Sequence, residues 1–199
     1  MRRILDWLRL RLKRKEKKLS GNWAVLLIDM QTRFLQGFDE VRREKLVACQ
    51  MSIVRCCADC DIPLVLVEFD DESTIETLTK AIEATYRHEK ITKTTADAFS
   101  RPELLNCLRG WDINGVVLMG IYAAECAKET AKSALGNHLE IATSGELIAD
   151  VVRLKIAKSG KLTSLTNNDS GVLDLRWYKR RGFYFSTSQE LIAVLTSIK

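Results

Sequence analysis

The sequence predicts a three-layer α/β/α fold, a mostly parallel sheet of about six strands with helices on both faces. Three observations predict it. Short apolar runs of strand length alternate along the chain with stretches of helical period. The runs WAVLLI and VVLMGI are apolar throughout, as strands buried on both faces are. Strand, helix and strand in succession imply right-handed crossovers between parallel neighbours.

The elements follow in order. Trp23–Ile28 is a buried strand that ends at Asp29, and residues near 40–60 carry helical periodicity. Pro63–Phe69 is a second strand. Residues 73–84 are expected to be helical, with Ser73 or Thr74 as N-cap. His88–Thr92 is a short third strand. A helix over 101–109 carries Pro102 in its first turn, where a missing N–H costs little. Val116–Ile121 is the strongest strand and leads into a helix over about 124–136. Leu139–Thr143 and Phe183–Ser186 complete the strands, and a helix from Gln189 closes the chain. Residues 159–171 (SGKLTSLTNNDSG) are expected to be an irregular surface loop. The alternation is that of a Rossmann-like sheet.

Composition narrows the class. A 199-residue chain with 46% apolar residues suits one globular domain with a sizeable core. No apolar run approaches the eighteen or so residues of a membrane-spanning helix. The net charge of +5 is unevenly placed. Residues 1–20 hold nine Lys/Arg against two Asp/Glu, which leaves residues 21–199 at −2. The chain therefore divides into a basic amphipathic extension, 1–20, and a nearly neutral domain, 21–199.

Six cysteines, Cys49, Cys56, Cys57, Cys60, Cys107 and Cys126, are read as free thiols of a reducing compartment. Arg9 and Arg11 interrupt the one segment apolar enough for a signal-peptide core. Cys49, Ile53, Cys56 and Cys60 share one helix face, so packing is favoured over zinc; no second CxxC or nearby histidine completes a tetrahedral site.

Ligands of such sheets bind beyond the carboxyl ends of the strands. Asp29 ends the first strand, Lys93 follows the third, and Cys126 lies just past the fourth. Singly, each has an ordinary explanation as a turn residue, a solvated lysine or a core thiol. Together they compose an activated nucleophile. A helix N-terminus and an ammonium are expected to lower the thiol's pKa, and a carboxylate can take its proton.

The blocks DMQTRFL (29–35), KTTADAF (93–99) and GIYAAEC (120–126) resemble, in order and spacing, the signatures of the isochorismatase-like cysteine hydrolases. That superfamily includes nicotinamidases, N-carbamoylsarcosine amidase and isochorismatase itself. The resemblance covers residues 22–198. It implies Asp29 as general base, Lys93 as the lysine that helps activate the thiol, and Cys126 as nucleophile. It also implies a non-proline cis peptide at Ile121–Tyr122, with the N–H groups of Tyr122 and Cys126 forming an oxyanion hole. Phe34, Phe99 and Tyr122 are the candidate walls of the substrate pocket. The implied reaction is hydrolysis of a C–N amide or carbamoyl bond of a small molecule through a thioester. No cofactor and no metal are expected. Metal-dependent nicotinamidases carry an aspartate and histidines after the second strand, where this chain offers Asp70 and Asp71 and no histidine before His88. The turn Ala123-Ala124-Glu125 also departs from the threonine and aspartate common in relatives.

The alternative reading is a catalytically silent member kept for binding, with the basic tail as its working part. Within the tail, Ile4, Leu5, Leu8 and Leu12 form an apolar stripe beside Trp7, flanked by basic residues, the pattern of a helix on an anionic membrane surface. Nucleic-acid contact, a presequence and a solvated extension are the other options. A cytoplasmic homo-oligomer, peripheral at the membrane through residues 1–20, is the resulting expectation.

Overall fold

The computed structural model describes residues 19–151, 154–156, 162–164 and 175–198. The amphipathic stripe of the tail lies outside the described residues. The elements are β1 (Trp23–Ile28), α1 (Thr32–Leu35), α2 (Glu40–Cys60), β2 (Leu64–Phe69) and α3 (Glu76–Glu83). After them come β3 (His88–Lys93), a 3-10 turn (Ala98–Ser100), α4 (Pro102–Gly110), β4 (Gly115–Ile121) and α5 (Cys126–Gly136). The chain ends with β5 (Glu140–Ser144), β6 (Ile148–Ala149), β7 (Leu154–Ile156), β8 (Leu162–Ser164), α6 (Leu175–Arg181), β9 (Phe183–Phe185) and α7 (Ser188–Ser197).

Seven strands form one parallel sheet in the order β3-β2-β1-β4-β5-β9, with β6 paired to the end of β4. The architecture is the α/β sandwich expected from the alternation. Successive side chains of a strand point to opposite faces, and this divides the core. Val25, Leu27, Leu64, Leu66, Val117 and Met119 face α2, α3 and α7. Ala24, Leu26, Val65, Val67, Val116 and Leu118 face α4, α5 and α6. Each fully buried leucine among them contributes about 2 kcal/mol. Helix α5 buries Ala127, Ala131 and Ala134 on one face, and such small side chains let its axis lie close to the sheet. Leu19 is buried against the first of these clusters, so packing begins at the first described residue.

Three differences from expectation have local causes. Helix α3 starts at Glu76 with Ile75 in the N-cap position and no side-chain cap, rather than at Ser73 or Thr74. Thr74 is held extended instead: it bridges Gln31, and its N–H donates to Glu68 Oε1 at 2.7 Å. Within the expected loop over 159–171, Leu162–Ser164 forms a strand antiparallel to Leu154–Ile156; the remainder lies outside the described residues. The sheet also gains a strand through β6, which at two residues is too short to show a period.

The six cysteines are free thiols. Ile53, Cys56 and Cys57 of α2 are buried, and Cys49 and Cys60 pack against the same cluster half-buried. The packing role expected for this helix face is the one observed.

Candidate active site

Sheet order reverses direction between β1 and β4, and a crevice opens beyond the carboxyl ends of such neighbours. Asp29 follows β1 directly. It adopts φ 55°, a left-handed conformation that aspartate tolerates better than most residues. Its N–H donates to Val67 O at 2.9 Å, which fixes the bend where β1 ends. Lys93 closes β3, two strands away. Its side chain crosses the end of β2, with Nζ 4.6 Å from the centre of the Phe69 ring, and reaches Asp29 Oδ2 at 2.8 Å. A second donation goes to Thr95 O at 3.1 Å. Both charged groups are shut from water, with side-chain exposures of 0% and 2%.

Cys126 is the first residue of α5 and is half-buried. The structure brings it into electrostatic contact with both Asp29 and Lys93. Burial is the main influence on its acidity. With the Asp29 charge, burial pushes the thiol up to about 12, and the Lys93 ammonium only partly opposes this. The expected lowering of the thiol pKa is therefore corrected: desolvation and the carboxylate outweigh the lysine. Burial also raises the pKa of Asp29 above the ordinary carboxylate value, against the pull of Lys93 and Arg33. Oδ1 of Asp29 is buried and has no hydrogen bond of normal geometry. The resting group thus holds its proton on sulfur, beside a desolvated carboxylate.

The peptide Ile121–Tyr122 is cis. Just before it, Gly120 has φ 129°, and a Cβ there would stand 2.0 Å from Ile28 O. No side chain fits where β1 and β4 approach, which explains the glycine that leads the third block. The Tyr122 hydroxyl donates to Phe34 O at 3.0 Å, and the two rings pack edge to face at 5.9 Å. Phe38 stacks on Tyr122, and Phe69 meets Phe34 edge-on. Phe99 packs on the other face of the sheet, in the cluster that Cys126 also contacts. Phe34 and Tyr122 therefore form one wall together, and Phe99 stands apart from them.

Three polar residues escaped the sequence reading. Gln31 ties the end of β1 to that of β2: Oε1 accepts from Phe69 N at 2.9 Å, and Nε2 donates to Phe69 O at 2.8 Å. Asp97 ties the segment after Lys93 to the helix that carries Cys126, because Ser133 Oγ donates to its Oδ2 at 2.6 Å. Asp150 accepts from the N–H of Ala124 at 2.9 Å. The first two lie inside the motif blocks, so a polar residue at a fixed place in a block was the available signal. Asp150 carried none beyond ending an apolar stretch. Where a metal would need open acidic ligands, Arg33 covers the acidic corner after β2, with Asp70 at 3.4 Å and Glu72 at 3.0 Å. Among the described residues no group of three candidate ligands converges, and no helix is long and apolar enough to cross a membrane. A cavity of about 270 Å³ lined by Trp23, Arg87 and Trp111 lies at the opposite, amino-terminal end of the sheet.

Residues 23–151, more than half of the chain, match the family model described as the isochorismatase domain. No protein of curated function matches the chain by sequence. Among solved structures, it is similar to the MAR1 ribonuclease of Caenorhabditis elegans, with a TM-score of 0.70 at 16% identity over 91% of this chain and 85% of that one. A cysteine hydrolase of Pseudomonas syringae pv. phaseolicola gives a TM-score of 0.68 at 13% identity over 92% and 100% of the two chains. For N-carbamoylsarcosine amidase of Thermoplasma acidophilum the TM-score is 0.63 at 19% identity over 84% and 97%. At these identities the likeness is one of fold.

Proposed function

The chain belongs to the isochorismatase domain family, and from that premise we propose that it hydrolyses a C–N amide or carbamoyl bond of a small molecule through a thioester on Cys126. The observation that carries the reading is the buried Lys93–Asp29 pair, 2.8 Å apart, beside the Cys126 thiol. A buried ion pair is weak evidence of stabilisation and better evidence of function when a nucleophile adjoins it.

With the thiol held neutral, attack and proton transfer proceed together. Asp29 takes the proton as sulfur bonds to the carbonyl carbon, and the carbonyl electrons move to oxygen. The N–H groups of Tyr122 and Cys126 receive that oxyanion; one such donor contributes about 3 kcal/mol to the transition state. Collapse breaks the C–N bond, and the departing ammonia or amine takes the proton from Asp29. Water then attacks the thioester, with Asp29 again as base, and the thiol is restored. Lys93 favours the ionised form of Asp29 and pulls against the burial that opposes it. Phe34 and Tyr122 flank the acyl group, with Phe99 on the far side.

A screen of primary amides and ureido acids for ammonia release, run beside Cys126→Ala, tests this. Release that disappears in the variant is expected; release that persists in it overturns the reading. The extension 1–20 is proposed to hold a cytoplasmic homo-oligomer at anionic membrane. The full chain should co-sediment with anionic vesicles at low salt and the chain lacking 1–20 should not, whereas equal binding by both overturns that part.

A further inference from the structure

Asp150 follows β6 and is buried at 3% exposure, yet it takes no part in the proton transfers above. Its carboxylate points at the turn that enters the Cys126 helix. Oδ1 accepts the N–H of Ala124 at 2.9 Å, and the N–H of Ala123 donates to Ala149 O at 3.0 Å. Strand pairing of Gly120 with Ile148 and of Ile121 with Ala149 brings β6 to this turn. From the other face of the sheet, the buried Tyr178 hydroxyl donates to Ala123 O at 2.6 Å. Arg42 steadies the far side of Asp150 by donating Nη2 to its carbonyl oxygen at 3.2 Å. The turn is thus held at both of its peptide groups, and two of the holds, from Asp150 and Tyr178, are side chains.

Resting on the nucleophile reading, we infer that Asp150 is a positioning residue for the oxyanion hole: by fixing Ala124, it sets the Tyr122 and Cys126 N–H groups on a substrate's carbonyl oxygen. A misplacement of about 1 Å in such a site costs about 10²-fold in rate. The hole matters only when charge develops on a carbonyl oxygen, and that makes the role separable from a structural one.

Two probes of Cys126 divide the cases. With p-nitrophenyl acetate, sulfur bonds to the acetyl carbon, an oxyanion forms and collapses, and p-nitrophenolate leaves as the thiol proton passes to Asp29. With iodoacetamide, sulfur displaces iodide from carbon as the thiol proton passes to Asp29, and no oxyanion forms. Asp150→Ala should slow acetylation about 10²-fold and leave alkylation unchanged. Asp150→Asn keeps an oxygen able to accept from Ala124 and should restore most of the rate. If Asp150→Ala does not fold, Asp150→Ser, too short to reach Ala124, carries the same expectation. Equal slowing of both probes, or of neither, overturns the inference. Acetylation that mass spectrometry maps away from Cys126 in the unmodified chain overturns the nucleophile reading and takes this inference with it.

Discussion

Strand β3 sends two lysines to two buried carboxylates, and the pairs differ in what surrounds them. Lys90 meets Glu68 at 2.6 Å with its own side chain 54% exposed, while Glu68 also accepts the N–H of Thr74. Lys93 meets Asp29 at 2.8 Å with neither side chain open to water. The first pair keeps a hydrated cation and anchors a loop. The second gives up hydration at both ends and sits beside a thiol. Burying both charges of a pair costs several kcal/mol that mutual attraction only partly offsets, so stability alone does not account for it. Placement beside Cys126 fits the role proposed for the pair.

The largest effect expected from this contrast is that of Lys93→Met, which leaves the Asp29 carboxylate buried and unpaired. A loss of about 3–5 kcal/mol in urea unfolding is expected, with loss of ammonia release. A stability unchanged from the unmodified chain would mean that Asp29 is protonated when folded.

Replacing both partners, as Asp29→Leu with Lys93→Met, should recover most of that stability, since apolar residues of similar volume substitute well for a buried pair. It should recover no activity. Partial activity would show that another group accepts the thiol proton.

A smaller effect concerns pH. The folded thiol stands at about 12 against an ordinary 9.0. A raised value contributes stability that is complete below about 9 and fades as pH climbs towards 12. The unmodified chain should therefore lose about 1–2 kcal/mol relative to Cys126→Ala between pH 9 and pH 11, read as thermal midpoints. Its iodoacetamide labelling should rise across the same window. A labelling plateau below pH 8 would restore the lowered thiol pKa expected from the sequence.

The smallest effect belongs to Lys90→Met. Exposure of the lysine limits the loss to about 1 kcal/mol or less, and ammonia release should be unchanged. A loss equal to that of Lys93→Met would erase the distinction between the pairs.

Much of this site was legible before any coordinates. Asp29 and Cys126 follow apolar runs and Lys93 closes a polar edge strand, and a parallel sheet gathers such positions at one edge. What could not be read depends on contacts distant in sequence. Thr74 has the chemistry of a cap but is taken by Gln31 and Glu68. Asp150 reaches Ala124 through a strand of two residues that has no period. The acidity of Cys126 is set by how much water it loses, and no local motif encodes that.

The protonated state of Cys126 bears on survival between substrates. Peroxide and other electrophiles attack thiolates, and sulfenic acid is the first step of the damage. At pH 7 a thiol at about 12 is ionised to about one part in 10⁵. Such a thiol reacts slowly with oxidants while the pocket is empty, and in the proposed mechanism it becomes nucleophilic only when a carbonyl arrives and Asp29 accepts its proton. Burial first and the Asp29 charge second supply the protection, and the same carboxylate is the base of the proposed reaction.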